Sequence, residues 1–248
     1  MNLASKCRVI FITGTDTGVG KTLLTGMLLH HLRASGCHAL AMKPFCSGGL
    51  GDVKLLQVVQ DRELTTREVN PFYFREPLAP LVAARKHGRW ITLAQVRERI
   101  RLMTKRCECL LIEGSGGLFV PLGEGYTVAD LIAGLGCETI VVARNQLGTI
   151  NHTLLTTRSL QAVGVLRLKV VLMAHKIDDS TRSNALILGE LLGRTELFCL
   201  PHLGAKPLEF EVLKENCKKN QKTLASIFDS DKVLPRSLRA RDFSGKKN

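Results

Sequence analysis

The sequence has no long hydrophobic run and few aromatic residues. None of its apolar stretches approaches the roughly 18 residues that a membrane-spanning helix needs. The first residues run directly into a β-type stretch, without a hydrophobic leader or a cleavage site, so secretion is not expected. Hydrophobic residues make up 45% of the chain and aromatic residues 5%, which predicts a large and mainly aliphatic core. We therefore expect a cytoplasmic protein with no membrane partner.

The eight cysteines lack the spacing of a disulfide framework or a zinc site. Cys107 and Cys109 form the one close pair, and their separation is too short for the usual zinc half-site. The net charge of +13 raises the question of nucleic acid, but the basic residues are dispersed and no aromatic residues alternate with them. We expect a basic surface that suits anionic substrates and no nucleic-acid partner.

Strand-like and helix-like patterns alternate along the chain, with short connections and no internal repeat or domain linker. The predicted strands are residues 9–12, 38–42, 109–112, 139–143, 169–173 and 197–200. This alternation predicts a single α/β domain over 1–248, with a mostly parallel sheet and helices on both faces. Its core spans about 8–203, and the basic segment of about 223–248 is a candidate for disorder.

Two local patterns refine this prediction between the second and third strands. Residues 70–80, NPFYFREPLAP, are too rich in proline for a regular helix or a central strand, so an ordered loop is expected. Thr92 precedes a helical pattern over about 93–105 and has Gln95 three residues later, which indicates a capping box at the helix start.

Residues 11–23, FITGTDTGVGKTL, indicate a phosphate-binding loop between a strand and a helix. Thr15 occupies the position that the first glycine usually holds in such loops. Gly18 and its glycine neighbours allow backbone N–H groups to close around oxyanions, and the helix start adds a favourable potential. Lys21 can reach the outer phosphates and Thr22 can ligate Mg²⁺. The pattern therefore predicts a nucleotide site.

Polar residues follow the ends of several other predicted strands, where ligands gather in open α/β sheets. Lys43 and Ser47 follow the second strand, and Glu113 follows the third, just before a glycine-rich turn. Asp52 precedes a helix, where it is either an N-cap or a ligand, and the cap is the commoner role. The helix that starts near residues 148–151 offers free N–H groups that suit a carboxylate.

Five segments taken together resemble the dethiobiotin synthetase family. They are GTDTGVGKT, KPFCSGG, NPFYFREPLAP, EGSGGLFVPL and GTINHTLLT, and the resemblance covers about residues 9–203. It implies a P-loop enzyme of biotin biosynthesis, a cyclo-ligase that uses ATP and Mg²⁺. In that reaction 7,8-diaminononanoate (diaminopelargonate) takes up CO₂ as a carbamate, ATP phosphorylates the carbamate, and the second amine closes the ureido ring. The products are dethiobiotin, ADP and phosphate.

The resemblance also implies roles for individual residues. Lys21 and Lys43 would be catalytic, and Mg²⁺ would be held by Thr22, Asp52 and Glu113. The implied nucleotide contacts are Gly18, Val19, Gly20, Lys21, Thr22, Leu23, Asp52, Glu113, Gly114, Ser115, Gly116, His175, Pro201, His202 and Leu203. The implied substrate contacts are Ser47, Gly148, Thr149, Ile150 and Asn151, the last four from the neighbouring subunit of a homodimer. His175 departs from the family pattern, because an asparagine that reads adenine is usual there.

Three alternatives stay open at this point. A partition or cell-division ATPase shares the phosphate loop but needs a signature lysine five residues before Lys21, where this chain has Asp16. An amidotransferase relative needs a second, glutamine-hydrolysing domain, for which the predicted elements leave no space. A nucleotide-gated binding protein without ligase activity would keep the loop but would not need Lys43 or Ser47.

Overall fold

A computed structural model describes residues 7–175 and 179–229. Its strands are β1 (Arg8–Gly14), β2 (Ala39–Met42), β3 (Phe45–Ser47), β4 (Phe72–Phe74), β5 (Cys109–Gly117), β6 (Pro121–Gly123), β7 (Tyr126–Thr127), β8 (Glu138–Asn145), β9 (Leu168–Ala174) and β10 (Glu196–Leu200). Six of them form one sheet in the order β10-β9-β8-β1-β5-β2, and every pair in it is parallel. The predicted parallel sheet is confirmed.

Helices flank this sheet. They are α1 (Lys21–Ala34), α2 (Gly51–Val59), α3 (Thr66–Val69), α4 (Pro80–Lys86), α5 (Leu93–Met103), α6 (Val128–Leu135), α7 (Thr149–Ala162), α8 (Asp179–Leu191), α9 (Phe210–Lys219) and α10 (Gln221–Asp229). Helix α1 packs with α2, α9 and α10, while α7 packs with α8. Within the described ranges, no helix has the length and apolar character to cross a membrane.

The central strands are buried along most of their apolar length. In β1, Ile10, Phe11 and Ile12 are each at most 1% exposed, as is usual for strands covered by helices on both faces. Strand β5 continues past the predicted end at residue 112, because the backbone up to Gly117 still pairs with β1. Glu113 therefore lies within a strand, opposite Ile12, and its carboxylate is held in a rigid part of the sheet.

The proline-rich segment 70–80 is more regular than predicted. Strand β4 pairs in parallel with β3 in a separate two-stranded sheet, and the rings of Phe45 and Phe72 stack at 5.0 Å between their centroids. Pro80 begins α4, where the fixed φ of proline suits the first turn of a helix. The loop prediction was wrong at these points, although the segment does stay outside the central sheet. The capping box between Thr92 and Gln95 is confirmed.

The chain after β10 forms two helices that return to the sheet. In α10, Leu224 and Ile227 are fully buried in the hydrophobic core. Residues 223–229 of the segment that was a candidate for disorder are thus helical, because they carry an apolar face that the core covers. The rest of that segment, 230–248, lies outside the described residues.

Candidate active site

The loop between β1 and α1 has a backbone that requires glycine. Gly18 and Gly20 have φ values of 68° and 106°, in the left-handed region that residues with a side chain rarely adopt. A Cβ added to Gly14 would lie 2.7 Å from Cγ2 of Val19, so the loop is also tightly packed. Lys21 is 6% exposed, and its Nζ donates a hydrogen bond of 2.7 Å to the carbonyl oxygen of Asp16. The loop thus holds its lysine against its own backbone.

A second lysine is held between two carboxylates beside this loop. Lys43 follows β2, and its Nζ donates to Oε1 of Glu113 at 2.7 Å and to Oδ2 of Asp52. The hydroxyl of Thr22 donates to the same Glu113 oxygen at 2.7 Å. Asp52 is not an N-cap, because α2 already begins at Gly51. Two separate segments of the chain therefore contact Glu113 directly, and Asp52 joins them through Lys43.

Burial and neighbouring charges act differently on the two lysines. Burial lowers the pKa of Lys43, but the charges of Glu113 and Asp52 and the hydrogen bonds to them more than offset this effect and raise the pKa above its usual value. For Lys21 burial is the dominant cause, and it lowers the pKa to about 8 although Glu113 opposes it. Lys43 is therefore a permanent cation, whereas Lys21 is mostly charged at neutral pH and loses its charge above about pH 8.

Two buried polar atoms in the site have no hydrogen-bond partner among the residues that the structure describes. They are Oε2 of Glu113 and Oγ of Ser47. Leaving such an atom unpaired costs about 1–3 kcal/mol, so its presence suggests a group that a ligand completes. Oxygen ligands from carboxylates and a hydroxyl are those that Mg²⁺ prefers, and Glu113 with Thr22 and Asp52 fits that ion. Within the described ranges, no group of three or more His, Cys, Asp or Glu side chains is arranged to hold a metal ion.

Most of the predicted site residues line one cavity of about 1090 Å³ at the carboxyl ends of the strands. They are Gly18, Val19, Gly20, Lys21, Thr22, Leu23, Lys43, Ser47, Asp52, Glu113, Ser115, Gly116, His175, His202 and Leu203. Gly114 does not line it, because it faces the ring of Phe11, which lies 2.9 Å from the position of an added Cβ. Pro201 and residues 148–151 also lie outside the lining.

Further residues line the cavity that were not predicted from the sequence to belong to the site. Arg144 lines it, and its Nη2 donates a hydrogen bond of 2.7 Å to the carbonyl oxygen of Gly18. The cavity wall also includes Pro77 and Met173. The position of Arg144 at the end of a strand next to β1 was the available signal. An arginine there is more often solvated, and its contact with the loop depends on strand order.

Comparison with known proteins identifies the class to which this protein belongs. A family model described as an AAA domain matches residues 8–205, so the chain is a P-loop nucleotide-binding protein. An ATP-dependent dethiobiotin synthetase of Anaeromyxobacter sp. (strain Fw109-5) is 42% identical over 202 residues, covering 79% of this chain and 91% of the relative. One of Bacillus licheniformis is 39% identical over 207 residues, covering 79% and 84%. The chain belongs to the ATP-dependent dethiobiotin synthetase family.

Solved structures support the same fold. A putative plasmid partition protein of Borrelia burgdorferi, bound to AMPPNP, aligns with a TM-score of 0.61 at 11% identity and covers 92% of this chain and 100% of its own. The cell division protein MinD of Aquifex aeolicus aligns with a TM-score of 0.58 at 14% identity, covering 92% and 99%. Identity this low shows the fold alone, which is the predicted P-loop α/β fold.

Proposed function

We propose that this protein is an ATP-dependent dethiobiotin synthetase, a ligase of biotin biosynthesis that closes the ureido ring of dethiobiotin from 7,8-diaminononanoate, CO₂ and ATP. The observation that carries the proposal is Lys43, a buried cation beside the phosphate loop that Glu113 and Asp52 hold in place. Family membership supports the same reaction, and Asp16 at the position of the signature lysine disfavours a partition ATPase.

The chemistry needs charge stabilisation and positioning rather than a covalent enzyme intermediate. The loop N–H groups and Lys21 would bind the phosphates of ATP, and His175, His202 and Leu203 would border the base. The raised pKa of Lys43 excludes it as a general base at neutral pH and suits it to stabilise the carbamate and the transferred phosphoryl group. Ring closure would then follow from holding the second amine close to the activated carbonyl.

Mg²⁺ is proposed to be held by Thr22, Asp52 and Glu113. Bound there, the ion would neutralise charge on the phosphates of ATP. The unpaired Oε2 of Glu113 supports this assignment, since a buried carboxylate oxygen is costly to leave without a partner. A cytoplasmic location is proposed as well, because biotin precursors and ATP are small intracellular metabolites.

The substrate carboxylate is proposed to bind the start of α7 in a second copy of the chain, at Gly148, Thr149, Ile150 and Asn151. These residues lie outside the lining of their own cavity. The N–H of Thr149 donates to the carbonyl oxygen of Gln146, so the N–H groups of Ile150 and Asn151 at the helix start are the ones that would favour a carboxylate. Leu147, which precedes them, is 87% exposed and offers an apolar contact for a partner. Ser47 would contact the other end of the substrate. A strictly monomeric protein with full activity would contradict the shared site.

The direct test is to incubate the protein with 7,8-diaminononanoate, ATP, Mg²⁺ and bicarbonate and to analyse the products by mass spectrometry. We expect a product with the mass of dethiobiotin, formed in equal amount to ADP. The reaction without 7,8-diaminononanoate is the control for uncoupled hydrolysis. No product of that mass, with ATP hydrolysis unaffected by 7,8-diaminononanoate, would favour a nucleotide-gated binding protein instead.

A further inference from the structure

Arg144 reaches the phosphate loop from a different strand. It is the penultimate residue of β8, which pairs with β1 on the side opposite β5. Its Nη2 donates to the carbonyl oxygen of Gly18 at 2.7 Å, and the same atom lies 3.6 Å from the position of a Cβ added to Gly18. The side chain is half-buried in the wall of the cavity. Its guanidinium group therefore lies directly against the loop.

Most N–H donors of the Arg144 guanidinium have no partner within the described ranges. The bond to Gly18 is the one side-chain hydrogen bond of Arg144 within the described ranges, and no carboxylate there pairs with it. A guanidinium carries five N–H donors, so most of them remain available to a ligand in the cavity. Lys43 differs in this respect, because Glu113 and Asp52 already neutralise it. Arg144 is thus a cation of the cavity wall whose charge no acidic side chain of the described residues offsets.

The geometry points to Arg144 as a residue that both positions the phosphate loop and binds the nucleotide. We propose that one N–H fixes the carbonyl of Gly18 while the remaining donors bind the polyphosphate chain from the β8 side. This inference depends on the proposed nucleotide site but not on which reaction follows ATP binding. It would be wrong even in an active dethiobiotin synthetase if the phosphates did not meet this side chain.

The location of Arg144 complements that of the other charged groups. Lys43 and Glu113 belong to the β2 and β5 side of β1, whereas Arg144 approaches from the β8 side, so a polyphosphate in the loop would lie between them. Arginine keeps its charge at all physiological pH values and forms paired hydrogen bonds with phosphate oxygens. A lysine at this position could keep the charge but could not donate to Gly18 and to a phosphate in the same planar arrangement.

The test measures nucleotide binding directly. Affinities for ADP, by calorimetry, and for adenosine, by competition, are compared among the unmodified protein, Arg144→Gln, Arg144→Lys and the control Arg99→Gln. Arg99 lies on α5, is exposed and has no side-chain hydrogen bond or ion pair within the described ranges, so its variant makes the same charge change away from the cavity. We expect Arg144→Gln to weaken ADP binding about tenfold and adenosine binding less than twofold. Arg144→Lys should recover part of the ADP affinity, and Arg99→Gln should change neither.

Two results would overturn the inference. One is an ADP affinity of Arg144→Gln within twofold of the unmodified protein. The other is an equal loss for ADP and adenosine, which would mean that Arg144 shapes the loop without meeting phosphate. Thermal unfolding checks that each variant is folded. If Arg144→Gln does not fold, the affinities of Arg144→Lys for ADP and adenosine are compared with those of the unmodified protein instead. Product formation is assayed separately, so a failed ligase reaction would leave this binding result interpretable.

Discussion

Two buried glutamates, on the strands that flank β1 in the central sheet, differ in how completely their carboxylates are paired. Glu138, at the start of β8, is completely enclosed. Its Oε2 accepts from Nη2 of Arg8 at 2.6 Å and its Oε1 accepts from Nζ of Lys169 at 2.5 Å. Lys169 also donates to the carbonyl oxygen of Ile227 in α10 at 2.8 Å. This cluster connects three strands with the last described helix and leaves neither oxygen of Glu138 unpaired.

Glu113 is equally buried but incompletely paired. Thr22 and Lys43 both donate to its Oε1, while its Oε2 has no partner. The other carboxylate on Lys43 belongs to Asp52, whose side chain is 36% exposed toward the cavity. A closed cluster stabilises the fold, whereas an open one leaves a carboxylate oxygen available to a ligand. Pairing rather than burial therefore distinguishes the two glutamates.

The largest expected effect is at the open cluster. Lys43→Ala removes the buried cation proposed to stabilise the phosphoryl group, so turnover should fall by roughly 10³-fold. Binding of ADP should change less than about threefold, because the phosphate loop and Lys21 remain. Steady-state formation of dethiobiotin and calorimetry with ADP measure the two quantities. Unchanged turnover would remove Lys43 from the mechanism.

At the closed cluster we expect a large effect on stability alone. Lys169→Met leaves Glu138 with Arg8 as its cation and removes the side-chain donor to the carbonyl of Ile227, which should lower the free energy of unfolding by about 3–5 kcal/mol. Urea unfolding measures this change, and Lys222→Met on the exposed side of α10 is the control, with an expected effect below about 0.5 kcal/mol. Turnover per folded molecule should stay the same. A loss of turnover without a loss of stability would contradict the comparison.

The smallest effect concerns the pH dependence of nucleotide binding. Burial lowers the pKa of Lys21 to about 8, so this lysine is charged below that pH and increasingly neutral above it. A bound diphosphate favours the charged form, and above pH 8 binding must include uptake of a proton. Affinity for ADP, measured without Mg²⁺, should change less than about threefold between about pH 7 and pH 8 and fall up to tenfold per pH unit above about pH 8. Lys21→Arg should remove this slope, and an unmodified protein without the slope would refute the assignment.

The site was largely predictable and its surroundings were not. Lys43, Asp52 and Glu113 were predicted from strand ends and family motifs, and the structure brings them together in one cavity. The sheet of β3 and β4 was missed, because strands of three residues are too short to show an alternating pattern. Arg144 was missed because its contact joins residues 126 positions apart in the chain.

The sequence by itself determined the parallel sheet, the glycine-rich loop and the family, because these depend on local periodicity, on backbone conformations that require glycine, and on short motifs. The tertiary structure decided which buried charged groups are fully paired. Asp52 could be a cap or a ligand until the start of α2 and the contact with Lys43 were known. Glu113 and Glu138 both occur in apolar strands, and only the order of the strands determines which cations reach them. Pairing is a property of three-dimensional neighbours, so the distinction between the open and the closed cluster could not be derived from the order of residues.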